Sequence, residues 1–521
     1  MKLNYKRTIL VGFAFFLISV FWQAYDATIP VILTNKFGMS QTWSGVIMAL
    51  DNIMAVFMLP VFGALSDKCI RNKTGKRTPF ITIGATIAAV VLVCLSFVDN
   101  AQLSRIEDVS AIDDPAALSV IYDQQIDTEL VTPDGEEFVL REKFPNKEDF
   151  VSITSKLELS SGDTITNPDY TNFVAPARQA CAADATAENP TALILFVVLL
   201  LAVLIAMSVF RSPAVALMPD VTIKPLRSKA NAIINLMGTF GGILVLVLGI
   251  VFATSGVQNS MMSYTLYYGV IAAIMLGALA IFRLTVREPK WAEEMLQKSR
   301  ELGIEEENEE KEKKETRKLT KSEGKSLLLI LASIALWYIG YNAVTSKYSL
   351  YAGRVLDMDY NTTLLIAQGA AVIAYLPAGI VASKIGRKKT ILAGVVMLSS
   401  AFAIASFLRA GSSVLLMDVL FAMAGIGWAT INVNSFPMVV EMCSGGDIGK
   451  YTGYYYTASM AAQIVTPVLS GWLMDTTGKM TILFPYAAVF VGLAFVTMFH
   501  TKHGDTKAEA KKGLEALAVE D

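Results

Sequence analysis

Few ionisable side chains interrupt the long apolar stretches of this chain, and Asp26, Asp51 and Arg211 are the ones best placed for chemistry. A charge at the centre of a bilayer costs about 2.5–3.5 kcal/mol on insertion scales, so each must face a cavity or a partner. Trp22 and Gln23 precede Asp26 by four and three residues, which brings an aromatic platform, an amide and a carboxylate to one helical face. Sugar recognition favours that set, because the apolar face of the ring stacks on an aromatic while hydroxyls bond to amides and carboxylates. Asn52 adjoins Asp51. Further along, Tyr338, Tyr341, Asn342 and Thr345 recur at helical spacing, as do Trp428, Asn432 and Ser435, and Gln463 lies near one face with Thr466. The candidate substrate-binding residues are therefore Trp22, Gln23, Asp26, Asp51, Asn52, Arg211, Tyr341, Asn342, Trp428, Asn432 and Gln463. Asp26 and Asp51 are also candidates for cation coupling, since protonation or sodium binding would neutralise a buried acid. The bland alternative is that such residues hold membrane helices together, with the acids pairing with Arg211 or with backbone.

The elements that carry these residues are membrane helices. The chain is 54% hydrophobic and 17% charged, with a mean hydropathy of +0.49, against roughly 45–50% apolar in soluble domains. A crossing takes about 20 mostly apolar residues. Twelve such segments are found near 8–33, 42–64, 79–98, 191–217, 230–254, 264–284, 326–348, 362–382, 389–409, 412–437, 450–473 and 481–500. The expected fold is an all-α integral membrane protein of twelve transmembrane helices in two pseudo-symmetric six-helix bundles. The first segment is too long for a signal peptide and has no small-residue cleavage site. A net charge of -2 gives no reason to expect a nucleic-acid partner, and four scattered cysteines suggest neither a disulfide nor a metal site.

Lysine and arginine set sidedness, since short cytoplasmic loops retain them. Loop 65–78 holds Lys68, Arg71, Lys73, Lys76 and Arg77, loop 218–229 holds Lys224, Arg227 and Lys229, and loop 383–389 holds four more. The opposite loops carry few, among them Lys36, Arg354 and Lys479. A multi-pass plasma-membrane protein with both termini in the cytoplasm is expected. The chain divides into an N-terminal bundle over 1–284, a charged cytoplasmic linker over 285–325, a C-terminal bundle over 326–500 and a cytoplasmic tail over 501–521. The linker reads as a solvated helix or tether without chemistry. Residues 99–190 form an acidic insert on the outer side, with nineteen Asp/Glu against six Lys/Arg. Segments 136–140 and 153–159 could make short strands or helices, so the insert is either a folded cap or a loose loop. No calcium-loop spacing occurs in it.

Two cytoplasmic loops repeat one signal. Gly63, Asp67 and Lys68 lead to Gly75-Lys76-Arg77, and Gly379, Ser383 and Lys384 lead to Gly386-Arg387-Lys388-Lys389. Gly63 is expected to let the second and eleventh spans approach, and Asp67 to accept hydrogen bonds from a helix N-terminus across the interface, with Lys76 and Arg77 offering the opposite charge. The fourth span ends in Asp220 with Arg227 seven residues on, and the tenth in Glu441 with Lys450 nine residues on. An acid at the inner end of a helix sits at the wrong end for the dipole, which favours a second duplicated latch. Asp67, Lys76, Arg77, Asp220, Arg227, Arg387 and Glu441 are the candidate cytoplasmic gate. A duplicated gate in a duplicated membrane domain implies a transporter.

The run Ser66-Asp67 to Gly75-Lys76-Arg77-Thr78-Pro79-Phe80-Ile81 resembles the sucrose-carrier branch of the major facilitator superfamily and the wider glycoside-pentoside-hexuronide cation symporters. Pro213, Ala216-Leu217, Asp220 and Ala230-Asn231-Ala232 match that branch too, and the likeness covers nearly all twelve spans but not the insert. It implies alternating-access symport of a glycoside or small oligosaccharide with a proton or sodium ion. One departure matters. Plant sucrose carriers have an aspartate deep in the fourth span and an arginine two residues after its proline, where this chain has Leu204 and Val215; Arg211 lies a turn earlier. An exporter or uniporter of another small polar solute is the alternative. The insert has no His, no GxSxG and no oriented carboxylate pair, so no enzyme activity is expected. Nor is a bound cofactor, and a monomer is anticipated.

Overall fold

In lipid every backbone N–H and C=O must find a partner within its own segment, so long apolar runs fold as helices. A computed structural model describes residues 3–68, 74–158, 164–223, 226–301, 319–440, 442 and 448–504. Three long helices come first: α1 (Tyr5–Asn35), α2 (Gln41–Lys68) and α3 (Thr78–Arg105). The insert follows with α4 (Glu107–Ser110), α5 (Pro115–Gln125), strands β1 (Glu129–Val131) and β2 (Glu137–Val139), α6 (Leu140–Lys143), α7 (Lys147–Val151), strands β3 (Lys156–Glu158) and β4 (Thr164–Thr166), a π-helical turn Tyr170–Val174 and α8 (Ala175–Glu188). Next come α9 (Thr191–Val221), α10 (Arg227–Val251), α11 (Thr265–Thr285) and a short α12 (Glu288–Glu301). The rest is α13 (Lys321–Tyr351), α14 (Tyr360–Ile385), α15 (Arg387–Ala405), α16 (Val414–Val440), α17 (Ile448–Thr477) and α18 (Leu483–Phe499). By length and composition ten of the described helices could cross a membrane; α14 and α17, of 26 and 30 residues, complete the twelve.

One apolar core lies among α1, α2, α3, α9, α10 and α11, and a second among α13 to α18. The pairing scheme repeats between them. In the first half α1 packs on α10, and α3 on α9 and α11; in the second α13 packs on α17, and α15 on α16 and α18. The halves meet where α2 runs along α17 and α10 along α14.

The insert has its own core, built from Leu118, Ile121, Tyr122, Leu140, Phe150 and Val174. Its aromatic rings meet edge to face, as in Phe138 on Phe173 at 5.1 Å, and Tyr122 donates to the Phe144 carbonyl at 2.7 Å. Of the two readings of this segment, the folded cap is the one observed. Residues 136–140 supply β2, which pairs antiparallel with β1, and β3 pairs with β4. The membrane part is wholly helical and the insert adds these two hairpins.

Two sequence expectations need correction. The third helix runs past the expected end at 98 to Arg105, because its polar residues Asp99 and Gln102 are buried and bonded rather than turned to solvent. The segment after 285 begins as a helix, one of its two readings, but a packed rather than a solvated one: Trp291 and Met295 of α12 are buried, and Arg7 bonds Glu294 at 2.5 Å while lying over the Trp291 ring.

Candidate functional site

Helix α1 brings Trp22, Gln23 and Asp26 to the interior, where α2 contributes Asp51 and Asn52 and α9 contributes Arg211. The Arg211 guanidinium lies 5.9 Å from the centre of the Trp22 ring. Asp26 and Asp51 stand within each other's electrostatic reach, and Asp51 within that of Arg211. All three are half-buried. Asn52 donates its backbone N–H and its side-chain amide to the Asp51 carboxylate, at 2.5 and 2.7 Å. Two acids and one base thus share a site beside an aromatic face, a set able to bind a polar solute and to exchange a cation.

The second half faces this cluster with rings. Tyr341 stacks on Trp428 with centroids 3.7 Å apart and planes 4° from parallel, and Tyr338 meets Trp428 edge-on at 5.2 Å. Tyr341 also lies within electrostatic reach of Asp26 across the interface. Gln368 of α14 donates to Gln23 of α1 at 2.6 Å. Gly242 leaves room for that pair, since a Cβ there would lie 3.2 Å from the Gln368 amide oxygen. The Asn342 amide instead bonds Tyr338 O in its own helix at 2.9 Å, a local back-bond that takes one of its donors from any ligand. Asn432 and Gln463 are half-buried on α16 and α17, and among the described residues no contact draws either into the Asp26–Arg211 cluster.

The end of the molecule that bears the chain termini is arranged differently from the sequence expectation. Asp220 pairs with Arg77 at 2.8 Å and Lys76 at 3.4 Å, not with Arg227. Arg227 caps its own end of α9, bonding the Thr222 and Pro219 carbonyls at 3.2 and 3.1 Å, because the turn after α9 folds it back on those unsatisfied groups. Gly63 does not serve the α2–α17 contact: a Cβ there would meet Ser212 of α9 at 2.8 Å. Close approach of α2 to α17 occurs instead at Gly45, whose Cβ would lie 2.0 Å from the Pro467 carbonyl, and at Gly471, 2.2 Å from that of Gln41. Arg387 opens α15. Glu441 and the Asp67 side chain lie outside the described residues.

Two groups escaped the sequence reading, and a further buried lysine, Lys347, joins the halves. Glu288 is buried and caps α3, accepting from the Lys76, Arg77 and Thr78 backbone N–H groups and the Thr78 hydroxyl at 2.7–2.9 Å. Lys36 and Asp99 form a fully buried ion pair at 2.6 Å, completed by the Met262 carbonyl and the Tyr264 ring. Lys347, buried in α13, donates to the Gln41 carbonyl of the other half at 2.6 Å.

Among known proteins, a family model described as Major Facilitator Superfamily matches residues 174–374 and 362–519, and one described as MFS/sugar transport protein matches residues 10–108. Two curated relatives, MFS-type transporters ppzB of Metarhizium rileyi and Metarhizium majus, are 28% and 30% identical over 139 and 125 residues. These matches cover 26% and 24% of this chain, and the chain spans only 28% and 26% of those relatives' length. The inward-open xylose transporter XylE from E. coli superposes over 99% of both chains with TM-score 0.58 at 15% identity. A nucleoside transporter, NupG, superposes over 96% of this chain and 100% of its own with TM-score 0.53, also at 15% identity. At that identity the likeness is one of fold.

Proposed function

Because the chain belongs to the major facilitator superfamily, we propose that it is a plasma-membrane symporter carrying a glycoside or small oligosaccharide together with a proton or sodium ion. One observation carries the reading: Asp26, which shares its site with Asp51, Arg211 and Trp22 in one half, lies within electrostatic reach of Tyr341 in the Tyr341–Trp428 stack of the other. A sugar ring held between them would stack on the aromatics and bond its hydroxyls to the carboxylates, Asn52 and Gln23. A cation at Asp26 or Asp51 would neutralise the charge pair in that pocket and so favour closure around substrate. Each charge moving inward down 100 mV supplies about 2.3 kcal/mol, roughly a fifty-fold concentration ratio.

The matching sugar-transport model over residues 10–108 includes the helices that bear Trp22, Asp26 and Asp51 and supports the choice of solute. With the insert outside, as the Lys/Arg distribution favours, the bonds from Asp475, Lys347 and Thr254 that join the halves lie at the exterior end. In proteoliposomes with an imposed proton or sodium gradient, Asp26→Asn and Asp51→Asn should each reduce uphill accumulation by about tenfold or more, while exchange across equal gradients persists. Full accumulation by both variants would defeat the coupling role. A panel of glucosides, galactosides and uronides, each with and without sodium, then identifies the solute and the ion.

A further inference from the structure

A cleft lies away from the Asp26–Arg211 cluster, at the insert-side end, where the insert, α1 and the start of the second half come together. It is lined by Asn35 of α1, Arg178 and Gln179 of α8, Ser349 and Arg354 of the α13 region, and Tyr360.

Two arginines line this cleft, and among the described residues neither forms an ion pair. Arg178 is 4% exposed; it donates to the Tyr170 hydroxyl and the Ala111 carbonyl, and its Nε has no partner. Arg354 donates to Gln179 Oε1 at 2.5 Å and Asn35 Oδ1 at 2.6 Å, both neutral amides. The Ser349 hydroxyl, 6% exposed, is likewise unpartnered. Carboxylates of the neighbourhood are engaged elsewhere: Asp113 by Ser155, Asp357 by the Thr166 N–H, and Asp359 by Ser255 and the N-terminus of α14. Buried cations with only neutral acceptors are expensive unless something supplies the opposite charge. Arginine does this best with carboxylates, through its planar fork.

We propose that this junction is a second small-molecule site, distinct from the central one, that takes a small carboxylate-bearing, hydroxyl-rich solute. Its carboxylate sits between Arg178 and Arg354 and its hydroxyls meet Ser349 and Tyr360. Because the walls come from the insert and both halves, the bound solute holds the insert-side end closed.

Calorimetric titration of the purified full-length protein at low ionic strength tests this, with glucuronate as the probe and glucose as its neutral counterpart. Glucuronate should bind about tenfold tighter than glucose, the scale of one charge-assisted hydrogen bond. Arg178→Gln should abolish that preference, and so should Gln179→Glu, which places a competing carboxylate beside Arg354 without deleting a buried group. Arg211→Gln should leave the preference intact. Equal affinity for the two probes overturns the proposal, as does a preference that survives both cleft variants or vanishes only with Arg211→Gln. Because the readout is binding, these results stand apart from the transport assay of the central site.

Discussion

The two ends of the bundle are held by different chemistry. At the insert-side end, bonds cross between the halves. Asp475 accepts from the Gln41 and Thr42 backbone at 2.9 and 2.7 Å, Lys347 donates to Gln41 O, Thr254 bonds Tyr360 at 2.7 Å, and Met480 donates to Pro133 of the insert at 2.9 Å. At the termini-side end, the contacts of the charged loops among the described residues stay inside one half. Arg77 and Lys76 hold Asp220, Glu288 caps α3, and Lys388 donates to the Phe499 and Thr501 carbonyls at the end of α18. The difference suggests a division of labour. At the termini-side end charges brace each half, while at the insert-side end single charges such as Asp475 and Lys347 on backbone groups, together with glycines and short polar side chains, join the halves, and these are contacts that can be remade as the halves move.

That contrast breaks first at Glu288. Removing a buried carboxylate that satisfies three backbone N–H groups should cost about 3 kcal/mol, so Glu288→Ala should lower the thermal unfolding midpoint sharply. Spin labels at the exposed Trp43 and Trp472 positions of α2 and α17 should meanwhile report an unchanged separation. A changed separation would show that this brace also gates. Next in size is Gly45→Ala. Its methyl would press on the Pro467 carbonyl, and overpacking of this kind costs about 1–3 kcal/mol, charged here to the closed state alone. The same labels should then populate longer distances, whereas Gly277→Ala, whose Cβ would meet nothing within 4 Å, should not move them. If Gly45→Ala leaves the distance distribution as it was, the α2–α17 crossing is not what holds this end shut.

These two ends also mark how far the sequence could be read. Apolar runs reveal the spans because lipid allows no other backbone solution, and a charge inside such a run stands out, which is why Asp26, Asp51 and Arg211 were visible. Hydropathy fails where polar groups are buried in pairs: Asp99 and Gln102 looked like the start of a loop, and only the fold shows Lys36 against them. Aromatics at Phe138, Phe144, Phe150 and Phe173 were the available signal for an ordered insert, diluted among its acids. Choice of partner was not legible at all. Arg77 takes Asp220 because α3 lies along α9, a tertiary fact that no spacing encodes, and Glu288 was hidden in a charged run that composition alone describes as solvated.

The smallest effect concerns Asp359, one carboxylate that serves both kinds of contact. Burial pushes its carboxyl up, but hydrogen bonds from Ser255, Thr362 and Asn361 outweigh this and hold it below the ordinary value of 3.8. A carboxyl depressed in the folded state contributes stability that is fully present above the ordinary value and is lost as pH falls through the depressed one. Thermal stability should therefore be flat in this respect between about pH 5 and 8 and decline below about pH 4. The Thr362 and Asn361 bonds remain with α14 in any conformation; only the 2.5 Å bond from Ser255 belongs to the other half. The acid limb of closure should thus be the smaller share, under about 1 kcal/mol for a half-exposed group. Ser255→Ala should remove it from the label-distance profile while leaving the acid limb of thermal unfolding in place. If Ser255→Ala flattens both profiles, the cap on α14 contributes little and this carboxylate works chiefly between the halves.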